Sequence, residues 1–407
     1  MQQILIAISV FTAVILALVG IVLIARAWLA PSGIASIQIN GQRRIDVALG
    51  TKLLWALSGR GIYLPAACGG RGTCGQCKVD VLRGARQLLP TEAVHIKRRE
   101  AARGTRLACM FTIRDDLDIR VPTAVLDARG WLCTVRSSRS LTTFLKEVVL
   151  TLPEGEQIRF EAGEYILLEA PPYALRFADF DIESEYRAEW KRYGLFELKS
   201  ELDEPALRAY SLADPPMQNK QVKLVVRIAT PPHDSPADTP PGKVSSYIFS
   251  LKPGDSVLVS GPFGDFHARE TNREMIFIAG GAGIAPMRSI IRDQLLRLET
   301  RRKITFWYGA RNMRELCYAD EFDKLAGQFS NFSWNVALSE PASDSPWTGH
   351  RGFIHSVVYD NYLQQHPAPE DAEYYLCGPP LMSAAVMQML EDLGVERDNI
   401  LFDDFGA

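Results

Sequence analysis

Four cysteines stand at the spacing of thiolate ligands to a redox cluster. Cys68, Cys74 and Cys77 lie within ten residues of one another, and Cys109 follows after thirty-one more residues. Four thiolates complete the tetrahedral coordination of two iron atoms, with two thiolates on each iron. Glycines at positions 69, 70, 72 and 75 let the backbone wrap closely and turn N–H groups toward sulfur. The pattern therefore predicts a [2Fe-2S] cluster on these four cysteines.

A structural zinc site is the alternative for the same residues. Such a site usually has two Cys-x2-Cys pairs, or one pair combined with histidines. Only Cys74 and Cys77 form such a pair, and no histidine lies near them. Iron–sulfur chemistry is therefore favoured. The remaining cysteines, Cys133, Cys317 and Cys377, are expected by default to be buried small hydrophobic residues.

A second chemical site is indicated by Arg208-Ala209-Tyr210-Ser211. A guanidinium fork suits phosphate oxygens, and the face of a tyrosine suits a planar ring. A turn that opens a helix follows, and the free N–H groups at a helix start bind diphosphate. This turn comprises Gly242, Lys243, Val244, Ser245 and Ser246.

Both motifs resemble the flavin motifs of the ferredoxin-NADP reductase superfamily. The resemblance implies that Arg208 pairs with the diphosphate of FAD and that Tyr210 stacks on the flavin ring. It also implies that Ser211 forms a hydrogen bond near the reactive nitrogen of the flavin.

A glycine-rich loop, Gly280-Gly281-Ala282-Gly283, follows an apolar run and precedes a helix-length segment. Its glycines allow a nucleotide diphosphate to approach the backbone. The acidic residue expected about twenty positions later in a dehydrogenase-type Rossmann motif is missing. The superfamily variant of this loop, which ends in a proline such as Pro286, fits better.

Two segments near the end of the sequence, 377–382 and 402–407, resemble the same superfamily. Cys377-Gly378 resembles the loop that puts a cysteine beside the nicotinamide, and Phe405 resembles a terminal aromatic lid over the flavin. Asp403 lies where plant reductases carry an acid near the hydride path. The resemblance therefore implies catalytic roles for Ser211, Cys377, Asp403 and Phe405.

Charge indicates which nucleotide is used. NADP-using relatives place Ser-Arg near the adenosine ribose, whereas here Ser339 is followed by Glu340. A carboxylate at this position would repel a 2′-phosphate and could accept ribose hydroxyls. NADH is therefore favoured, although Arg311 and Arg314 leave NADPH as an alternative.

The secondary-structure elements that must position these residues follow two sequence patterns. Short β-branched runs alternate with Gly and Pro turns from Cys133 onward, which predicts an antiparallel β-barrel. From Met275, apolar runs are separated by helix-length segments, which predicts a parallel α/β sheet. The predicted strands are 146–152, 165–169, 223–228 and 256–260 in the barrel, and 275–279, 304–307, 334–338 and 374–376 in the sheet.

The first part of the chain predicts a membrane anchor. Ile4 to Ala25 carries no charge and would span about 33 Å as a helix, enough to cross a bilayer. The run is too long for a cleaved signal peptide and lacks a basic start. Arg26, Arg43 and Arg44 follow it, so the remaining chain is expected on the cytoplasmic side.

The cysteine-bearing region, about Ser36 to Pro122, resembles the plant-type and vertebrate-type ferredoxins, which implies an α+β β-grasp fold. Within it, Thr91 to Arg103 predicts one short exposed helix. Four parts follow from these observations. They are a transmembrane anchor at 1–30, a ferredoxin-type domain at 34–128, an FAD-binding barrel at 129–269 and an NADH-binding domain at 270–407.

These four parts, in this order, resemble the family of F subunits of bacterial sodium-translocating NADH:quinone reductases. The resemblance implies that NADH gives a hydride to FAD, and that electrons then pass singly to the cluster. It further implies partner membrane subunits that reduce ubiquinone and export sodium, and a single-pass location in the bacterial inner membrane. The balance of 45 basic against 48 acidic residues offers no footprint for nucleic acid.

Residues 173–196 form an insertion in the barrel with seven aromatic residues among many charges. Local packing is the default explanation, and a surface that binds a partner protein of the complex is a further hypothesis. Two other functions compete for the whole chain. One is a reductase that supplies electrons to an oxygenase, and the other is a membrane-tethered electron carrier or redox sensor whose nucleotide site is vestigial.

Overall fold

The computed structural model describes residues 2–29, 33–232, 239–342 and 345–403. The chain folds into two compact units. The first comprises residues 1–64 and 77–123, and the second comprises residues 65–76 and 124–407. The loop between Cys68 and Gln76 is therefore part of the second unit, although its neighbours in sequence belong to the first.

Helix α1 (Gln2–Leu29) covers the apolar segment predicted at Ile4 to Ala25. Phe11 is 67% exposed and Leu16 is 65% exposed, so neither side chain packs into a core. Among the residues that the structure describes, no helix has both the length and the apolar character needed to cross a membrane. The predicted transmembrane span is therefore not confirmed.

A five-stranded mixed sheet forms the centre of the first unit. Its elements are β1 (Ile34–Ile39), β2 (Arg43–Ala48), α2 (Leu53–Ser58), β3 (Lys78–Arg83), α3 (Pro90–Ala93), α4 (Arg98–Ala102), β4 (Thr105–Leu107) and β5 (Leu117–Arg120). The strand order is β2-β1-β5-β3-β4, with β1 and β5 parallel and all other pairs antiparallel. Alternate residues of β1 (Ala35, Ile37 and Ile39) are buried, as a half-buried strand requires. A mixed sheet with α2 inserted agrees with the predicted α+β domain.

The single helix predicted from Thr91 to Arg103 is wrong, because two short helices, α3 and α4, occupy this region. The Glu92 carboxylate is 2% exposed and accepts hydrogen bonds from the backbone N–H groups of Leu89 and Leu107. The Glu100 carboxylate accepts one from Lys97 N–H, where α4 begins. Each glutamate fixes the start of its own helix, so one continuous helix does not form.

An antiparallel barrel opens the second unit. After α5 (Thr123–Leu126), its elements are β6 (Arg129–Ser140), β7 (Leu145–Thr151), β8 (Tyr165–Ala170), β9 (Tyr173–Arg176), α6 (Ser184–Arg192), β10 (Lys199–Leu202), β11 (Ala206–Ser211), β12 (Gln221–Arg227), α7 (Lys243–Ser250) and β13 (Ser256–Phe263). Six strands follow the order β11-β8-β13-β6-β7-β12. The Ala213 N–H donates to Lys223 O at 2.9 Å, which joins the chain after β11 to β12 and closes the barrel. The predicted barrel and its four strands are confirmed.

The aromatic residues of the 173–196 insertion pack mainly inside the second unit. Trp190 and Phe177 are fully buried, and Phe180 is 4% exposed. The Trp190 indole N–H donates to Thr143 O at 2.8 Å, and the Tyr186 hydroxyl donates to Leu141 O at 2.9 Å. Local packing therefore accounts for most of these rings, which removes the observation that suggested a partner surface.

A parallel sheet completes the second unit. Its elements are β14 (Met275–Gly280), α8 (Ile284–Arg292), β15 (Ile304–Ala310), α9 (Ala319–Gln328), β16 (Phe332–Leu338), β17 (His350–Arg351), α10 (Ile354–Asn361), β18 (Glu373–Cys377), α11 (Pro380–Asp392) and β19 (Ile400–Asp403). The order is β17-β16-β15-β14-β18-β19, and every pair is parallel. The prediction of alternating strands and helices is confirmed. Because all six strands point the same way, their carboxyl ends lie at one edge of the sheet.

Candidate functional site

The loop 65–76 carries two of the four predicted cluster ligands. The Cys74 thiol donates to Cys68 Sγ at 3.4 Å, and this bond lowers the pKa of Cys68. The same hydrogen bond raises the pKa of Cys74, so within this pair it favours the thiolate, the form that binds iron, at Cys68 only. Glycines at 69, 70, 72 and 75 all have positive φ, between 67° and 85°, a conformation that side chains rarely adopt. Both the donors and the backbone of this loop fit an iron–sulfur cluster.

Cys77 and Cys109, the other two predicted ligands, belong to the first unit. They are 1% and 4% exposed, and the Ala108 N–H donates to Cys77 O at 2.9 Å, next to Cys109 in the chain. Over the described ranges, no three or more His, Cys, Asp or Glu side chains stand close enough to hold a metal ion. The complete four-cysteine ligand set therefore stays a prediction.

Strand β11 supplies one wall of a cavity of about 940 Å³. Arg208, Tyr210 and Ser211 all line this cavity, as do the residues Gly242 to Ser245 at the start of α7. The Gly242 N–H donates to Ala229 O at 2.7 Å, and an added Cβ on Gly242 would lie 2.6 Å from the Ala229 Cβ. A glycine here lets α7 begin close to β12, which directs the first free N–H groups of α7 toward the cavity.

Ser246, predicted to contact the cofactor, does not line the cavity. Its side chain is fully buried, and its hydroxyl donates to Gly242 O at 2.7 Å. The Ser245 hydroxyl donates to the same carbonyl at 3.0 Å. Ser246 therefore supports the turn that presents Gly242 and does not itself face the cavity.

The carboxyl edge of the parallel sheet supplies the opposite wall. Gly280, Gly281 and Gly283 line it, together with Gly378 after β18. An added Cβ on Gly283 would lie 2.0 Å from Cys377 O, so only glycine lets the loop pass this close to β18. The single cavity thus brings the flavin motif and the nucleotide motif together, as the sequence predicts.

Two predicted nucleotide-site residues lie behind this wall. Cys377 is fully buried and Pro286 is buried within α8, and neither lines the cavity. Cys377 is instead adjacent to Gly378 and in backbone contact with Gly283. Both residues are therefore placed to shape the loops that line the cavity.

Ser211 is held by Asp403 at the end of β19. The Ser211 hydroxyl donates to Asp403 Oδ2 at 3.0 Å, and Ser211 is only 5% exposed. This bond links the end of β11 to Asp403, the last residue that the structure describes. Phe405, the predicted lid, lies outside the described residues.

The residues invoked for nucleotide choice lie at the cavity as well. Ser339 and Glu340 line it, and the Glu340 N–H donates to Arg311 O at 2.7 Å. The Arg311 guanidinium pairs with Glu315, while Arg314 lies 3.4 Å from a Glu189 oxygen. Both arginines therefore have carboxylate partners, which weakens the argument that either one binds a 2′-phosphate.

A buried ion pair that the sequence did not reveal joins the barrel to the parallel sheet. Arg288 Nη1 on α8 donates to Asp214 Oδ1, three residues after β11, at 2.6 Å. The two side chains are 4% and 3% exposed. Burial raises the pKa of Asp214, whereas Arg288, Lys223 and Gln221 lower it. Their combined effect is the larger one, so the pKa of Asp214 lies below its ordinary value. Asp214 therefore stays ionised between the two halves of the site.

Sequence reasoning also missed several residues of the cavity wall. Their positions depend on which loops meet, and no local motif marks them. They include Thr142, Phe144, Arg227, Phe353 and His355. By contrast, the expectation for Cys133 and Cys317 is confirmed, since both are buried and burial raises the pKa of each to about 12.

Three family profiles match consecutive parts of the chain. A 2Fe-2S iron-sulfur cluster binding domain matches residues 37–114. An oxidoreductase FAD-binding domain matches residues 194–268, and an oxidoreductase NAD-binding domain matches residues 277–388. These matches support the predicted [2Fe-2S], FAD and NADH cofactors.

Among solved structures, the chain is similar to the cytochrome P450 reductase GcoB of Amycolatopsis, with a TM-score of 0.63 and 26% identity. That match covers 91% of this chain and 98% of the other. The ferredoxin reductase in carbazole 1,9a-dioxygenase matches with a TM-score of 0.61 and 26% identity, over 92% and 99% of the two chains.

Curated relatives match more strongly and over the full length. The F subunit of the Na(+)-translocating NADH-quinone reductase of Methylococcus capsulatus is 52% identical over 407 residues, which covers 100% of both chains. The protein of the same name from Pseudomonas aeruginosa is 52% identical over 405 residues, covering 100% of this chain and 99% of the relative. The chain therefore belongs to the family of Na(+)-translocating NADH-quinone reductase F subunits.

Proposed function

We propose that this chain is the electron-input subunit of a membrane respiratory complex, which oxidises NADH and passes single electrons to partner subunits. One observation carries the proposal. A single cavity has the flavin motif on one wall and the nucleotide motif on the other, and the cluster loop is hydrogen-bonded to the flavin motif through Arg208. When bound, FAD accepts a hydride from NADH, and the [2Fe-2S] cluster carries one electron at a time.

The flavin wall would hold FAD through residues that already face the cavity. Arg208 offers a guanidinium for the diphosphate, and the first turn of α7 offers free N–H groups from Lys243 to Ser245. Tyr210 offers a ring face, and burial raises the pKa of its phenol, which keeps the ring neutral. Ser246 contributes by fixing the Gly242 carbonyl.

The opposite wall would hold NADH with its diphosphate against Gly280, Gly281 and Gly283. Gly378 and the adjacent Cys377 would border the nicotinamide, and Pro286 would stabilise the first turn of α8 below the loop. Glu340 would accept ribose hydroxyls and repel a 2′-phosphate. Ser211, oriented by Asp403, would hold its hydroxyl at the flavin's reactive nitrogen, and Phe405 would cover the flavin until NADH binds.

Cys68, Cys74, Cys77 and Cys109 would hold the cluster. Replacing Cys77 by alanine removes one thiolate, so the cluster signal and quinone reduction should be lost while NADH still bleaches the flavin. Cys133→Ala is the matched control, because Cys133 is equally buried but lies in the barrel. Visible and EPR spectra, recorded before and after NADH is added, show whether the cluster is present and whether the flavin is reduced. A Cys77→Ala protein that keeps its cluster would contradict this ligand set.

The simplest test of the whole proposal is the visible spectrum of the purified chain on addition of NADH. Flavin bleaching, with a lower KM for NADH than for NADPH, is expected. Absence of bleaching would instead support the electron-carrier function, and preference for NADPH would contradict the assigned role of Glu340.

The names of the relatives support the proposed destination of the electrons. We infer that partner subunits take electrons from the cluster, reduce ubiquinone and export sodium. Affinity purification from native membranes should recover these subunits and show sodium-stimulated quinone reduction. Recovery of an oxygenase instead would support the other reductase function, to which the solved structures at 26% identity belong by name.

We also propose that α1 attaches the chain to the bacterial inner membrane, with the redox domains on the cytoplasmic side. Apolar side chains such as Phe11 and Val22 are more than half exposed along α1, and the basic residues Arg43 and Arg44 follow it in the sequence. The chain should stay with membranes after alkaline carbonate washing, and protease should digest it only in inverted vesicles. Release by carbonate would contradict the attachment.

A further inference from the structure

The cluster loop 65–76 touches the flavin barrel at two places that the cofactor motifs do not explain. Both places lie within the second unit. They involve residues on β8 and β11, two strands that pair with each other in the barrel.

The first contact is between backbones. An added Cβ on Gly69 would lie 1.8 Å from Leu207 O, so the loop approaches β11 as closely as a glycine permits. Arg208 Nη1 donates to Cys68 O at 2.7 Å, and Arg71 Nε donates to the same oxygen at 3.2 Å. The guanidinium that lines the flavin cavity therefore also holds the carbonyl of a predicted cluster ligand.

The second contact is between side chains. The Tyr165 hydroxyl donates to Gln76 Oε1 at 2.7 Å, and the Ala67 N–H donates to the same oxygen at 3.1 Å. Gln76 stands between Cys74 and Cys77 in the sequence, so this amide connects both ends of the loop to β8. Tyr165 is 7% exposed, and its ring packs against Phe263 with centroids 5.8 Å apart.

The barrel end of this contact lies close to the flavin wall. Tyr165 is the register partner of Ser211 in the β8–β11 pair, so its backbone is fixed beside the flavin motif. Neither Tyr165 nor Gln76 lines the 940 Å³ cavity. The pair can therefore affect the position of the cluster loop without contacting a molecule bound in the cavity.

We propose that Tyr165 and Gln76 are positioning residues that hold the cluster loop on β8, beside β11, and thereby set the rate at which single electrons pass from the flavin to the cluster. This inference rests on the proposed function. One electron leaves the reduced flavin and one is gained by the cluster in each transfer. The pair takes no part in that exchange; it would hold the loop that carries Cys68 and Cys74 against the barrel.

Tyr165→Phe tests the inference by removing one hydroxyl and leaving the packed ring. The rate of cluster reduction by flavin, measured by stopped-flow absorbance per loaded cluster, should fall about two- to tenfold, the range expected for one lost hydrogen bond. Flavin bleaching by NADH should stay near that of the unaltered chain, and the melting temperature should fall by no more than in the control variant. Tyr374→Phe is the matched control, since its buried hydroxyl donates to Pro369 O at 2.8 Å in the parallel-sheet part.

The variant Gln76→Met, alone and combined with Tyr165→Phe, tests whether the two side chains act through their shared hydrogen bond. Adding Tyr165→Phe to Gln76→Met should slow the transfer no further, because the shared hydrogen bond is already absent. Additive slowing would show that the two residues act separately, and an unchanged rate in Tyr165→Phe would overturn the proposal.

Gly69→Ala tests the backbone contact. The added methyl must push the loop away from Leu207, so the transfer should slow by about tenfold or more. Gly194→Ala is the matched control, because Gly194 has almost the same φ, 65° against 67°, and an added Cβ there meets nothing within 4 Å. If Gly69→Ala loses the cluster, Tyr165→Phe decides alone. Failure of NADH to bleach the flavin in the unaltered chain would reject the proposed function itself, which is a distinct result.

Discussion

Strand β11 is held at its two ends by contacts of different kinds. Near its start, the contacts to the cluster loop are hydrogen bonds, such as the 2.7 Å bond from Arg208 to Cys68 O. Beyond its end, Asp214 lies within 3.5 Å of three cationic side chains, Lys223, Arg288 and Arg292. The end of β11 near the nucleotide site is therefore held by a cluster of buried charges. The end near the cluster loop is held by hydrogen bonds.

This difference matches what each transfer requires. A hydride moves only between atoms about 3 to 3.5 Å apart and correctly aligned, so the flavin and nucleotide walls must keep a fixed distance. An electron needs no such direct contact between donor and acceptor. Hydrogen bonds are therefore sufficient to hold the cluster loop.

The largest expected effect comes from removing the buried carboxylate of Asp214 beyond the end of β11. Asp214→Ala should lower the free energy of unfolding of the second unit by about 3 kcal/mol, the lower end for a broken buried pair, because Arg288 loses Asp214 and keeps only Glu321 as a carboxylate partner. Chemical denaturation followed by tryptophan fluorescence measures this loss. Asp179→Ala, which removes the exposed partner of Arg176, should cost little. Equal losses in both variants would show that the Asp214 contacts are not stronger than a surface pair.

The next effect concerns the close approach of the nucleotide loop to β18. Gly283→Ala should lower the free energy of unfolding by about 1 to 3 kcal/mol and abolish NADH oxidation, because the methyl would displace the backbone of Cys377. Gly327→Ala, in α9, adds a methyl where nothing lies within 4 Å. It should instead stabilise the unit slightly. Normal NADH oxidation by Gly283→Ala would show that this wall tolerates movement.

Charge also decides selectivity at the nucleotide end. Glu340→Gln removes the carboxylate and keeps a similar shape, so the ratio of kcat/KM for NADPH to that for NADH should rise about tenfold. The matched change Glu315→Gln alters a second cavity glutamate, which is already paired with Arg311. A larger shift from Glu315→Gln than from Glu340→Gln would contradict the role given to Glu340.

The smallest effect is a difference in acid stability. The folded pKa of Asp214 lies below its ordinary value of 3.8, so its contribution is complete above about pH 4 and is lost as the pH falls through the folded value. Asp214→Asn should therefore be less stable than the unaltered chain at neutral pH, and the gap should narrow below pH 4. A gap that stays constant across this range would mean that Asp214 does not titrate with unfolding.

Most of the local structure could be predicted from sequence patterns. All eight predicted strands of the barrel and the parallel sheet are present, because alternating or continuous apolar runs between turn residues have few other stable arrangements. The single helix predicted at Thr91 to Arg103 failed because Glu92 and Glu100 each fix the start of a separate helix. The carboxylate of Glu92 also accepts a hydrogen bond from Leu107 of β4, and no local pattern contains that bond.

The sequence by itself determined the chemical residues and their order along the chain: four cysteines, a flavin motif, a glycine loop and a terminal segment. Only the tertiary structure decided that Ser246 and Cys377 stand behind the cavity wall, and that Arg208 also holds Cys68. It also decided that Asp214 pairs with Arg288 across the site. Motifs record what a few adjacent residues can do, whereas these contacts join residues up to 140 positions apart. Their partners are chosen by how strands and helices pack, which short spacings do not encode.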